Sequence, residues 1–207
     1  MTSLDNITLE VADPAAAQRF YTTAFGLGDR LRLRASHEPS DGFRGFTLSL
    51  IVSQPADVDA LAGAALEAGA ESLKPATKSL WGYGAVVRAP DGTIWKVATQ
   101  AKKNSGPASR RIDSIVLLLG VADVAASKRF YVSRGLTVRK SFGRVYAEFA
   151  ASGPITLGLY RRRALAKDAG VPPEGSGSHR IVVGGSVEPF VDPDGFAWET
   201  SALAAKS

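Results

Sequence analysis

The chain contains no cysteine among its 207 residues. That excludes a disulfide framework, a thiolate nucleophile and a zinc–thiolate site. Histidine is almost as scarce, with His37 and His179 the only two; His37 lies in a polar loop and reads as solvent-exposed. No apolar run approaches membrane-spanning length, and the opening residues Met-Thr-Ser-Leu-Asp-Asn carry no signal-peptide pattern. A soluble, cytoplasmic protein is the expectation. A hydrophobic content of 45% beside 22% charged residues is ordinary for a globular protein able to bury a proper core, in one domain or two small ones.

The net charge of +5 raises the question of nucleic acid. The excess is concentrated in two places. Residues 101–111, AKKNSGPASRR, hold four basic residues and no acid, and Arg161-Arg162-Arg163 forms a second cluster. The first reads as a linker and the second as a loop edge. Without a helix-turn-helix, zinc-finger or RNA-recognition signature, this distribution argues against a nucleic-acid partner.

What the chain does have is an internal duplication. Pro90-Asp91-Gly92-Thr93-Ile94-Trp95-Lys96 returns as Pro193-Asp194-Gly195-Phe196-Ala197-Trp198-Glu199. Pro-Asp-Gly is a tight turn: Pro fixes one φ, Asp closes on its own backbone and Gly accepts positive φ. Each turn leads into a strand-like run. Trp95 and Trp198 alternate with Lys96 and Glu199, which predicts the tryptophans on the core side of their strands. Upstream, Asp13 to Phe20-Tyr21 is repeated at the same spacing as Asp123 to Phe130-Tyr131. Asp as N-cap followed by an apolar stripe predicts a helix in each half, with the Phe-Tyr pairs in the core. Strands are expected near residues 6–11, 30–34, 46–52, 71–74, 83–88 and 94–99, with a second helix over 55–69 whose apolar side is Val58, Leu61, Ala65 and Leu66. In the second half they are expected near 112–121, 136–140, 144–149, 155–160 and 179–183, with a short helix over 164–170. The spacing from Phe20 to Pro90 is 70 residues and from Phe130 to Pro193 it is 63, so each half is trimmed in a different place.

Together these motifs resemble the vicinal oxygen chelate superfamily of glyoxalase I, extradiol dioxygenases and bleomycin-resistance proteins. The likeness covers nearly the whole chain, once per half. It implies an α+β fold of tandem βαβββ modules whose curved sheets form clefts: a first glyoxalase-like domain over residues 1–100, a linker over 101–111 and a second over 112–207 with an abbreviated C-terminal unit. Whether each half closes its own sheet or the halves complete each other stays open. The resemblance is compatible with a homodimer.

In the family's metal enzymes one ligand lies early on the first strand, another on the strand opening the second unit, and a Glu follows the Pro-Asp-Gly turn. In the first half these places fall on Asn6, about Thr47, and Lys96, none a good ligand. In the second they fall on Ser114 or Val116, on His179 and on Glu199. His179 and Glu199 are therefore the candidate metal ligands, with water or Asp113 to complete the set. Glu199 is the candidate catalytic base. His179 can equally be a polar contact in the cleft or a hydrogen-bonded structural residue. Trp81 and Tyr83, two aromatics among glycines, are expected to wall a cleft or cap the core. Lys96, Arg44 and Arg88 are available for an anionic group. The leading expectation is a protein that binds a small organic molecule in a sheet-lined cleft without a metal cofactor. One alternative is a lyase, isomerase or dioxygenase using one divalent metal (Mn, Ni, Zn or Fe) in the second half. The other is a dimerising structural module.

Overall fold

The structure, a computed structural model, describes residues 2–80 and 82–201. The first half runs β1 (Leu4–Val11), α1 (Pro14–Ala24), β2 (Leu31–Ala35), β3 (Ser40–Gly42), β4 (Phe46–Ile51), α2 (Pro55–Glu67), β5 (Glu71–Ser79), β6 (Gly82–Arg88) and β7 (Ile94–Thr99). The second runs β8 (Ser114–Val121), α3 (Val124–Ser133), β9 (Val138–Phe142), β10 (Tyr146–Phe149), β11 (Ile155–Arg161), α4 (Arg162–Ala169), β12 (Gly175–Gly177), β13 (Ile181–Gly185), β14 (Phe190–Val191) and β15 (Ala197–Thr200).

α1, α2 and α3 begin where side chains can accept the free amides of a first turn. Asp13 accepts from Ala16 N at 2.9 Å, and Asp123 from Ala125 N and Ala126 N at 2.8 and 3.1 Å. Those amides hold the Asp123 carboxyl below the usual carboxylate range. α2 has no such residue of its own, and the linker supplies one: Asn104 accepts from Ala56 N at 2.8 Å. Gln54 accepts from Ser105 N and Gly106 N, and Asp57 from Ser109 N. Arg110 of the same segment donates to the Thr23 and Ala24 carbonyls at the end of α1. Part of the basic excess of residues 101–111 is thus used to satisfy a helix C-terminus.

The strands form an eight-stranded sheet in the order β5-β6-β7-β4-β8-β11-β10-β9, a five-stranded sheet in the order β14-β15-β13-β1-β2, and a β3–β12 ribbon. Both larger sheets mix strands of the two halves. β4 pairs antiparallel with β8, from Phe46↔Leu119 to Ile51↔Ser114, and β1 pairs antiparallel with β13. The halves therefore complete each other's sheets. The trimming also has a pattern. The two untrimmed units, β4-α2-β5-β6-β7 and β8-α3-β9-β10-β11, are neighbours in sequence and build the larger sheet. The outer units have lost parts: β2 pairs directly beside β1, and β13-β14-β15 has no helix.

One core cluster joins both sheets to α1, α2 and α3, and Trp95 and Trp198 are each only 1% exposed within it. Leu66 departs from expectation at 42% exposed; Ala62 takes its place on the buried side of α2. The duplicated motifs meet here. Tyr21 donates to Asp91 at 2.8 Å and receives the Trp95 indole N–H at 3.3 Å. Tyr131 donates to Asp192 at 2.6 Å and receives that of Trp198 at 3.2 Å. The aspartates are not equivalent. Asp192 precedes its Pro, where the first copy has Ala89, so in that copy the Asp after Pro takes over. Asp194, freed from that task, accepts from Ala122 N and Ser127.

Asp192 is 5% exposed, and burial raises its pKa against the pull of Tyr131 and of the Phe196 amide. A carboxyl raised in this way adds stability below its unfolded pKa near 3.8 and loses it as pH rises through the folded value. Tyr131→Phe removes a donor to the ionised form, so it costs about 1–3 kcal/mol at neutral pH. The cost shrinks as pH falls through the Asp192 pKa, and Tyr21→Phe, at the half-buried Asp91, costs less. Urea unfolding of both variants across pH checks this ordering.

Candidate functional site

Cross-strand register places the side chains that matter. On the eight-stranded sheet Ser49 lies opposite Lys96 and Val116, and Val116 opposite Thr156, giving one row across β7, β4, β8 and β11. Cross-strand partners share a face, so this row forms the floor of a cleft of about 490 Å³. Ile51, Ala98 and Leu118 supply its apolar floor, Ser114 a further hydroxyl, and Arg139, Tyr146 and Glu148 one wall. A groove of about 260 Å³ continues past Lys96 along Lys74, Gly84 and Val86.

α4 lies on this same face. Leu165, Ala166 and Ala169 pack with Phe43, Val86 and Ile94 into a second, smaller apolar cluster. The end of the helix is tied down by two lysines. Lys96 Nζ is 2.8 Å from Asp168 Oδ2, and Lys74 Nζ donates to the Lys167 and Asp168 carbonyls at 2.8 and 2.6 Å. These are carbonyls a helix terminus leaves free. On the opposite wall Tyr146 donates to Glu148 Oε2 at 2.6 Å and Arg139 to Oε1. Burial, then the Glu148 hydrogen bond and charge, push the Tyr146 phenol well above its usual pKa. At neutral pH the phenol is protonated, as its hydrogen bond to Glu148 requires.

The five-stranded sheet has the equivalent row: Asn6 opposite Gly184, and Gly184 opposite Glu199. It is filled differently. A Cβ on Gly184 would lie 2.4 Å from Asn6 Oδ1, so the Asn6 side chain, 2% exposed, occupies the space above the glycine. Both Glu199 oxygens are held by Arg34, at 2.9 and 2.6 Å, and Arg34 keeps the Glu199 carboxyl below the usual carboxylate range.

His179 lies elsewhere. Leu48 pairs with Trp95 and Val183 with Trp198, so Arg44 and His179 hold equivalent positions, each four residues earlier. Their contacts are equivalent too. Arg44 Nη2 donates to Asp91 O at 2.7 Å, and His179 Nε2 is 3.0 Å from Asp194 O. Each lies against the glycine of its turn, Gly92 or Gly195. His179 Nδ1 is 2.6 Å from Arg44 O, and the ring stacks on Phe196 with centroids 4.0 Å apart. The two residues fasten the two Pro-Asp-Gly turns and link them to each other.

Of the sequence-derived candidates, then, Lys96 lines the cleft, Arg44 and His179 hold turns, and Glu199 is engaged by Arg34 on the other sheet. The structure does not bring His179 and Glu199 together. The register gives Ser49 and Gly184, rather than Thr47 and His179, as the neighbours of Lys96 and Glu199. Tyr83 borders the groove by its backbone, but its hydroxyl donates to Asp59 of α2, on the opposite face. Arg88 pairs with Glu71 at 2.9 Å, and Trp81 lies outside the described residues. Ser49, Thr156, Tyr146, Glu148 and Arg139 went unrecognised. The alternation of Tyr146 and Glu148 with buried Ala147 and Phe149 was the available signal. Among the described residues no group of three or more His, Asp or Glu is placed to hold a metal ion.

No family model matches the chain, and no curated protein does. Solved structures do. Glyoxalase I from Zea mays superposes with a TM-score of 0.63 at 14% identity, over 96% of this chain and 91% of its own. A mutant of the maize enzyme gives 0.61 at 16% identity, over 95% and 92%. A putative dioxygenase from Bacillus subtilis gives 0.53 at 11% identity, over 88% of this chain and 69% of its own. The chain has a glyoxalase-like fold across nearly its full length.

Replacing Arg34 tests the geometry around Glu199. A carboxyl depressed by its partner adds stability above its unfolded pKa and loses it as pH falls through the folded one. In Arg34→Met the Glu199 carboxyl returns toward its ordinary titration range, read by carbon NMR. The stability change at neutral pH stays below about 1 kcal/mol, because the pair is solvent-exposed.

Proposed function

We propose that this protein binds a small organic molecule in the cleft of the eight-stranded sheet, without a catalytic metal. The observation that carries the reading is the row Lys96–Ser49–Val116–Thr156, which lies along an open cavity of about 490 Å³. A cavity of that size falls in the range of small-molecule sites, roughly 300–1,000 Å³. Its make-up is that of a recognition site: an apolar floor with a few polar groups at set positions. Ile51, Ala98, Val116 and Leu118 cover an apolar body. Ser49, Ser114 and Thr156 offer hydroxyls, Lys96 an ammonium shared with Asp168, and Glu148 a carboxylate oriented by Tyr146 and Arg139.

The donor sets do not fit a divalent metal. Mn, Ni, Zn or Fe(II) requires several imidazole, carboxylate or comparable ligands converging on one point. The larger sheet offers a lysine, a serine and a valine in its row. The smaller offers one carboxylate, already bound to Arg34, beside an asparagine and a glycine. The open cleft likewise favours binding over a purely structural dimerising module.

Val116→Trp fills the cleft from its floor. Screening wild type by thermal shift against aromatic antibiotics and short oxo-acids, followed by calorimetry, is expected to yield a ligand that raises the unfolding midpoint by mass action. The variant binds that ligand at least about tenfold more weakly, a loss of roughly 1.4 kcal/mol. Equal binding by the variant, or no response from any class, would sink the reading.

A further inference from the structure

β9 and β10 form a hairpin at the free edge of the eight-stranded sheet, joined by the turn Gly143-Arg144-Val145. The turn stands clear of the body: all three of its residues are exposed, and a Cβ added to Gly143 would meet no atom within 4 Å. Two large apolar side chains are nonetheless placed here, Phe142 at 57% exposed and Val145 at 47%. Neither belongs to a core cluster, and neither lines the cleft. Phe142 lies opposite Tyr146 and shares its face of the sheet. Val145, the residue before Tyr146, turns to the other face by alternation. The apolar pair is therefore presented at the tip of the hairpin, one side chain on each face.

Cations from three separate stretches of the sequence gather around this tip. Arg144 is in the turn itself, and Lys140 Nζ lies 4.9 Å from the centroid of the Phe142 ring. Lys128 of α3 donates to Ser141 Oγ at 3.2 Å, and Arg161, at the end of β11, donates to the Arg144 carbonyl at 3.2 Å. Arg129 is exposed on α3. After the amides of the helix, its charge and that of Arg144 help to hold the Asp123 carboxyl down, so both lie near it. The acids in contact with this group are engaged elsewhere. Asp123 accepts from Ala125 N and Ala126 N, and Glu148, opposite Lys140, is taken by Arg139 and Tyr146. Among the described residues none of Lys128, Arg129, Lys140, Arg144 and Arg161 forms an ion pair.

We infer that the β9–β10 tip docks on a membrane surface that carries anionic lipid. Phe142 and Val145 enter the boundary between headgroups and acyl chains, and the cations behind them meet the anionic headgroups. Such a surface relieves both features at once, taking apolar side chains out of water and answering like charges with opposite ones. Other occupants fit less well. A second copy paired symmetrically along β9 would set Lys140 and Arg144 against their own counterparts. Single-stranded nucleic acid needs a run of open ring faces. Beyond Phe142 the next rings on that face, Tyr146 and Tyr160, are half-buried and meet edge-on at 85°.

Co-sedimentation with vesicles of phosphatidylcholine and phosphatidylserine, with pure phosphatidylcholine as the reference, tests this. Wild type is expected to bind the anionic vesicles and not the neutral ones, and to be released as salt is raised. Arg144→Gln and Phe142→Ser, both at exposed positions, each weaken binding about fivefold. Phe142→Trp binds as wild type does, and its fluorescence, measured against wild type, shifts to the blue on anionic vesicles as the ring leaves water. Lys140→Glu combined with Arg144→Glu abolishes binding. Lys102→Glu combined with Lys103→Glu, the same change of net charge placed in the linker, leaves most of it. No binding to anionic vesicles, an equal loss in the two double variants, or an unshifted emission each overturns the inference. Binding to oligothymidylate or polyglutamate in place of the vesicles also overturns it, and would assign the tip to nucleic acid or to an acidic protein. Val116→Trp, in the cleft, leaves vesicle binding unaltered, so failure here and failure of the cleft reading can be told apart.

Discussion

Strand pairing between the halves carries the rest of the structure. β4 and β8 run antiparallel over six residue pairs, β1 and β13 over five, and without these seams each sheet would part. Each seam also sets a register, and a slip of one residue would turn every side chain to the other face. Lys96 faces the cleft while Trp95 faces the core because β7 is held against β4 at Leu48↔Trp95 and Ser49↔Lys96. The division into one large and one small sheet follows from the same seams. They join the two complete units to each other and the two trimmed units to each other. The larger sheet keeps an open cleft.

Behind the sheets, the repeated Tyr–Asp–Trp contacts tie each Asp-capped helix to its Pro-Asp-Gly turn. They show how a duplicated motif drifts while its function in the fold is kept. Loss of the Asp before Pro at Ala89 is met by Asp91, two residues along, and the hydrogen bond to Tyr21 survives. Arg44 and His179 do the same for the turns themselves, two different side chains each placing a nitrogen against the same carbonyl position. In front of the sheets the drift runs further. Lys96 and Glu199 hold equivalent positions with opposite charge, and each is engaged by another element: Lys96 by Asp168 of α4, Glu199 by Arg34 of β2. Both equivalent positions are thus occupied by ion pairs.

Most of the fold was legible because its signals are local. N-capping aspartates, Pro-Asp-Gly turns, alternating strands and a repeat with matching spacing each constrain a short stretch, and they agree. Trp95, Trp198, Tyr21 and Tyr131 were placed in the core by periodicity alone. The cross-half pairing was not legible, since nothing local distinguishes a strand that closes its own half from one that closes the other. The candidate site suffered from the same gap. Which residue stands beside Glu199 is a matter of register between distant strands, and a pattern count that landed on His179 was five residues away from Gly184. Tyr146, Glu148 and α4 reach the cleft only through tertiary packing. Tyr83 reads as a cleft aromatic in a glycine-rich loop, yet the pleat turns its ring toward α2.

Metal content separates an ion-paired sheet face from a metal centre most directly. Protein purified without chelator is assayed for Mn, Ni, Zn and Fe, and its unfolding midpoint is followed as each ion is added. Ion-paired rows predict no stoichiometric metal and no rise in the midpoint with any of them. A stoichiometric metal that stabilises the fold and is lost in Glu199→Ala would contradict the account.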